Sequence, residues 1–318
     1  MIRNTKGTAS RREWLSAAII PLALAACGGE SAKPAEHVEA PATPASTPVI
    51  PASGPVVTSD AGATVPRAVR YEDAEAEFKA GNYTEAKTLF KSYAESKPAN
   101  VFGWYMLGLS SWKSGDLNGA VEAFDSALAR DPKHVKSLLN SARVLMDLGR
   151  DSEALERVNT ARSIDSTSAE GIRLLARAQH RLGHIDEAVS AYREALVLDE
   201  SDVWAMNNLG MLYIEQKDPQ SALGPLARAV QLKPESPIFQ NNLGMALELT
   251  GHVTEARRAY DDAIKADSGY TKAQANARRL GDVVVDSTGT IGVDLKELAE
   301  VFRQQVKMWK ESVKQPTG

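Results

Sequence analysis

VFGWYMLGLSSWKSGDLNGAVEAFDSALARDPKH, residues 101–134, reads as two short helices separated by turns. Trp104, Leu107 and Gly108 mark the first helix, Gly115 ends it, Ala120, Phe124 and Ala127 mark the second, and Pro132 stops that one. Alone, the stretch says little, because apolar residues at helical spacing are usually just core. The same pattern recurs every 34 residues without an insertion or deletion. Moving forward it meets Leu138, Ala142, Gly149, Ala154, Val158 and Ala161, then Ile172, Ala176, Gly183, Ala188, Tyr192 and Ala195. It continues through Leu209, Gly210, Tyr213, Ala222, Leu226, Ala229 and Pro234, and through Leu243, Gly244, Gly251, Ala256, Tyr260 and Ala263. Moving backward, a degenerate copy keeps Ala74, Gly81, Ala86, Phe90 and Pro98.

Each recurring residue has a mechanical task. The small residue at Gly108, Ala142, Ala176, Gly210 or Gly244 lets two helices approach, and the large one near Phe124 fills the space beside it. The glycine at Gly81, Gly115, Gly149, Gly183 or Gly251 ends the first helix in a left-handed conformation. In the fifth copy Lys217 replaces it, and Asp218-Pro219 is expected to start the next helix instead.

These positions, in this order, resemble the tetratricopeptide-repeat family. The resemblance implies an all-α fold: a right-handed superhelix, or α-solenoid, of six repeats at 67–100, 101–134, 135–168, 169–202, 203–236 and 237–270. C-terminal capping helices follow: 271–281 as a solvating cap, 282–293 as a loop, and 294–313 as an amphipathic helix. Leu295, Leu298, Phe302, Val306 and Trp309 form one stripe on the last helix, which must bury it against the end of the array, in the groove or on a partner.

In that family the first helix of each repeat lines a concave groove that holds extended peptides or helices. The inward positions carried over from it are apolar in the second repeat: Phe102, Tyr105, Leu109 and Trp112. They turn basic and polar in the third and fourth, with Lys136, Asn140, Arg143, Arg173, Arg177 and Arg181. In the fifth and sixth they are Trp204, Asn207, Asn208, Met211, Asn241 and Asn242. Arg173, Arg177 and Arg181 share one helix face, where like charges repel. They form either an anion-accepting floor for a partner's carboxylates or a face neutralised by the chain's own acids. The asparagines suit contacts to a peptide backbone. The lysine and asparagine pattern of the family's carboxylate clamps is not matched, so a chaperone C-terminus is not the expected ligand.

Ahead of the repeats, Arg3, Lys6, Arg11 and Arg12 precede an apolar run from Leu15 to Ala26, the length of a signal-peptide core and too short to span a bilayer. The run ends Leu24-Ala25-Ala26-Cys27, which resembles the lipobox of bacterial lipoproteins. That resemblance implies a signal peptide at 1–26, acylation of Cys27 and stable attachment to a bilayer. With Gly28 next, it implies the outer membrane, facing the periplasm. Ser10-Arg11-Arg12-Glu13-Trp14-Leu15 also resembles a twin-arginine motif, so two export routes stay open. Residues 27–66 read as a disordered Pro/Ala-rich tether, since 31–66 hold seven of the 15 prolines and no aromatic residue. Architecture of this kind resembles the pilotins that assist secretin rings of type IV pili.

Charge and motifs exclude other classes. The net charge is −4, and removing 1–26, with four basic and one acidic side chain, brings it to −7, so no nucleic-acid partner is expected. One cysteine excludes an internal disulfide framework. His180 and His184 have the spacing of a helical metal pair, but Gly183 breaks the helix between them. There is no phosphate loop, Gly-x-Ser-x-Gly or dinucleotide fingerprint. The expectation is a scaffold without catalytic residues, cofactor or metal. It would serve an envelope complex of pilus or secretion type, an envelope enzyme as auxiliary subunit, or the cell envelope as a general organiser.

Overall fold

The computed structural model describes residues 69–281 and 292–314. The signal peptide, Cys27, the tether and residues 282–291 of the loop lie outside them. Six helical hairpins follow one another: α1 (Tyr71–Lys79) with α2 (Tyr83–Ser96), α3 (Val101–Lys113) with α4 (Leu117–Leu128), and α5 (Val135–Asp147) with α6 (Asp151–Ile164). The rest are α7 (Ala169–Arg181) with α8 (Ile185–Leu198), α9 (Val203–Glu215) with α10 (Pro219–Leu232), and α11 (Pro237–Leu249) with α12 (Val253–Ala266). Two further helices, α13 (Thr271–Gly281) and α14 (Leu295–Lys314), complete the described part. Each odd-numbered helix from α3 to α11, here an A helix, packs on its own B helix and on the B helix before it. Stacking of near neighbours alone is the packing rule of a solenoid.

Local chemistry sets the helix ends. Asn100, Asp116, Ser168, Asp218 and Ser236 each accept a hydrogen bond from the backbone N–H three residues on, and Asp202 accepts from Trp204 and Ala205. At the turn inside each hairpin, Gly81, Gly115, Gly149, Gly183 and Gly251 have φ between 75° and 87°. Lys217 has φ 62°, so the fifth hairpin takes the same left-handed turn without the glycine, and Asp218-Pro219 starts α10 as expected, Asp218 capping it and Pro219 opening its first turn.

The small-to-large pairing holds the hairpins closed. A Cβ on Gly108 would lie 2.5 Å from the Phe124 ring, one on Gly210 2.5 Å from Leu226, and one on Gly244 2.6 Å from Tyr260. Phe124, Leu226 and Tyr260 are fully buried, so they have no room to retreat.

α13 extends the stack by one A helix, burying Ala273 and Leu280 against α12. α14 goes neither to the end of the array nor to the A-helix side. It lies along the outer surface of the B helices α10 and α8 and buries Ala299, Phe302 and Val306 there. The reason is a notch: a Cβ on Gly224 of α10 would stand 3.2 Å from the Phe302 Cβ, so any larger residue would push the helix outward from its seat. Trp309 then meets the Arg193 guanidinium of α8 at 5.2 Å from its ring centroid. No helix among the described residues is long and apolar enough to cross a membrane.

Candidate partner-binding site

The A helices bring the expected residues onto one side of the array, where they sort into three chemically different stretches. In the first, Phe102 is 57% exposed on α3, with the His134 ring edge-on at 5.6 Å. Tyr105 meets the same imidazole at 5.2 Å and accepts a hydrogen bond from Asn140 Nδ2 at 3.1 Å. Burial pushes the Tyr105 phenol up, with Arg143 and Asn140 opposing the shift. His134 donates to or accepts from Ser137 Oγ at 2.7 Å, and burial holds its imidazolium form down. Leu109 and Trp112 are half-buried on the same helix, and the Trp112 Nε1 donates to Asp147 Oδ2 at 3.1 Å. Lys136 is exposed beside them and has no ion-pair partner among the described residues. The sequence did not point to His134, although it immediately precedes α5 in the turn facing Phe102.

The middle stretch is basic in sequence and neutral in structure. Arg143 donates to Asn140 and pairs with Glu170. Arg173 Nε meets Asp202 Oδ2 at 2.7 Å, Arg177 meets Asp147 at 3.6 Å, and Arg181 pairs with Asp151. Glu170, Asp147 and Asp151 come from neighbouring repeats and Asp202 from the cap of α9, so the second alternative describes the structure: the chain's own acids neutralise the floor. The Arg177 contact is the longest, and the side chain is 40% exposed. His180 is bonded to Glu215 at 2.7 Å, while His184 is exposed beyond the turn at Gly183. Among the described residues no three His, Cys, Asp or Glu side chains group as metal ligands would.

The third stretch needs a correction. Asn207, Asn241 and Asn242 are 4%, 2% and 9% exposed, too buried to meet a ligand. Their amides run head to tail instead: Asn276 Nδ2 donates to Asn241, Asn241 to Asn242, Asn242 to Asn207 and Asn207 to Asn208. A buried amide must find a partner, and this chain supplies one to each while tying α13, α11 and α9 together. The repeat period could have revealed it, for Asn208, Asn242 and Asn276 are 34 residues apart. Trp204 and Met211 are half-buried next to it, with the Trp204 ring edge-on to Phe239 at 4.7 Å.

A stack of helical hairpins with an uncovered A-helix side defines a class of protein, the repeat scaffold that holds other chains. Family models described as tetratricopeptide repeat match residues 111–178, 173–237 and 226–271. The chain belongs to the tetratricopeptide-repeat family, whose arrays are non-catalytic scaffolds for protein–protein contacts. It is 31% identical over 159 residues to the "DnaJ homolog subfamily C member 7 homolog" of Schizosaccharomyces pombe, a match covering 47% of this chain and 32% of that protein. The chain spans about a third or less of the curated relatives it matches. Among solved structures, the PilF protein of Pseudomonas aeruginosa is 19% identical with a TM-score of 0.53, covering 69% of this chain and 97% of that one. A tetratricopeptide protein of Thermus thermophilus is 19% identical with a TM-score of 0.52, covering 58% and 100%. Both share the fold.

Proposed function

We propose that the protein is a lipid-anchored scaffold that docks a partner protein or peptide on its A-helix side and thereby supports assembly of an envelope complex. The observation that carries this reading is the distribution of cover. α14 occupies the B-helix side, yet none of the described helices packs across the A helices, where Phe102 stands 57% exposed. An exposed aromatic beside half-buried Tyr105, Leu109 and Trp112 is an anchor site for an apolar side chain, and aromatic anchors dominate binding energy at interfaces. Lys136, unpaired nearby, and Arg177, the loosest of the paired arginines, add a place for a carboxylate.

The anchor rests on the sequence. Leu24-Ala25-Ala26-Cys27 follows an apolar run with basic residues ahead of it, and acylation of Cys27 places the array at the end of a tether reaching at most on the order of 100 Å. The lipobox with Gly28 supports the outer membrane, periplasmic side, and a lipoprotein with six repeats supports a pilotin-type role in pilus or secretion machinery. The likeness to PilF adds the fold and no more.

Detergent extraction of membranes followed by co-purification tests the reading. One stoichiometric partner, lost in Phe102→Ala/Trp112→Ala with helicity unchanged, is the expected result. Enzyme activity in the eluate would make the chain an auxiliary subunit, and the absence of any retained partner would overturn the proposal. Cys27→Ser should move the protein from the membrane fraction to the soluble one; retention in membranes would exclude that atom as the anchor.

A further inference from the structure

The junctions between repeats are not equally packed. The A helices α3 and α5, α5 and α7, α9 and α11, and α11 and α13 each bring several backbone positions within 8 Å of one another, whereas α7 and α9, like α1 and α3 at the array's start, approach at fewer points. The contact of α8 with α9 is also the thinnest of the B-to-A contacts that join successive repeats. On the A side two polar contacts span the fourth-to-fifth junction, Arg173 to Asp202 at 2.7 Å and His180 to Glu215 at 2.7 Å, while the apolar core continues beneath them through Tyr192 and Leu196 of α8 and Met206 and Leu209 of α9. On the B side adjacent helices scarcely touch anywhere in the array, and here alone a further helix crosses them. α14 reaches over α10 and α8 together, with Ala299 in the core cluster that holds Leu223 and Leu226 of α10. Its Phe302 and Val306 belong to the cluster that holds Tyr192 and Leu196 of α8, and Trp309 packs against it.

We infer that the junction between repeats four and five is the hinge of the array and that α14 is the brace that sets its angle. Sparse close packing makes a junction soft, because each missing contact removes a term that resists rotation. A helix fastened to both sides of a soft junction converts two bodies that rock into one. Arg173, Arg177 and Trp204 line the A side at this junction, so the angle set by α14 also sets the width of the groove there. Undocking of α14 would open or close that stretch while leaving repeats one to three unchanged. The inference does not depend on what the groove holds.

The sequence carries a mark of the brace. Where α10 has Gly224, the other B helices have Thr88, Glu122, Glu156, Ser190 and Arg258, all suited to solvent. Gly224→Arg installs the side chain that repeat six carries, improves helix propensity in α10 and fills the notch under Phe302. Phe302→Asp undocks α14 from the other partner, since it buries a charge where the side chain is 3% exposed.

Both full-length variants are examined in a Cys27→Ser background, with spin labels placed by cysteine substitution at the exposed residues Glu122 and Thr254, on either side of the junction. A second label pair, Glu122 with Glu156, reports repeats two and three only. The expected result is a 122–254 distance distribution that roughly doubles in width in both variants. The 122–156 distribution stays as it was, and amide exchange rises about tenfold in α8 and α9 together with α14. An unchanged 122–254 distribution when 295–313 has lost its protection would overturn the inference. So would loss of protection spread equally over repeats one to six, which would make α14 part of a common core rather than a brace at one junction.

Discussion

Lys217 holds a backbone conformation that five glycines hold elsewhere in the array, with φ 62° and an exposed side chain. For a residue with a Cβ the left-handed region costs about 1–2 kcal/mol, partly offset because glycine has more freedom to lose on folding. Lys217→Gly should therefore stabilise the protein by about 0.5–1 kcal/mol, and Gly251→Lys should cost a similar amount. Urea midpoints of the two variants check both signs, and destabilisation by Lys217→Gly would show that the lysine side chain does something the backbone argument omits. The amide chain makes the opposite case, of residues that look functional and are structural. Asn242→Leu leaves the buried Asn241 Nδ2 with only the weak Met245 sulfur as acceptor and Asn207 Oδ1 without its donor, for a loss of about 1–3 kcal/mol. Asn276→Ala, at the half-buried head of the chain, should cost about 1 kcal/mol. Hydrogen exchange of α9 and α11 measures both, and equal losses would mean that the amides do not act as a chain.

At the scale of the element, the tightest constraint is the crossing of A and B helices. Gly108→Ala places a methyl 2.5 Å from a ring that cannot move, which should cost about 1–3 kcal/mol. Phe124→Val alone leaves a cavity worth about 2–4 kcal/mol. The double substitution reproduces the Ala142 and Val158 pair of repeat three and should cost less than the sum by about 1–2 kcal/mol; strict additivity would show that the two side chains do not share the space. These crossings, with the turn glycines and the capping Asn, Asp and Ser residues, were legible in sequence because each is a local necessity repeated in register. The partners of Arg173, Arg177 and Arg181 were not. Their spacing along α7 shows only mutual repulsion, and Asp202, Asp147 and Asp151 come alongside only once repeats stack. The place of α14 was hidden in the same way. Its stripe says that it must be buried and not against what, and the answer stood in α10, where Gly224 interrupts a polar position and Arg228 is the one charged residue from Pro219 to Leu232.

In the whole molecule, stability should be distributed unevenly along the array, because a solenoid is held by contacts between neighbours and an end repeat has one neighbour only. The two ends differ. At the N-terminal one, α1 is nine residues long and the local core is small: Ala74, Ala86 and Phe90 with Leu107 and Ala123 from the next repeat, backed by Tyr71 and Phe78. At the C-terminal one, α13 covers α12, the amide chain joins three A helices, and α14 straps repeats four and five. Unfolding in urea should consequently begin with α1 and α2 and proceed inward, with α8 to α12 opening last. Residue-resolved amide exchange at rising urea gives the order, and probes of secondary structure and of tertiary packing should report different midpoints, since the transition is not all-or-none. Phe302→Asp should lower the protection of α8 to α10 toward that of repeats two and three while leaving α1 and α2 the first to open. If every helix opened at one urea concentration, the array would be a single cooperative core, and both the weak N-terminal repeat and the brace at the fourth junction would be wrong.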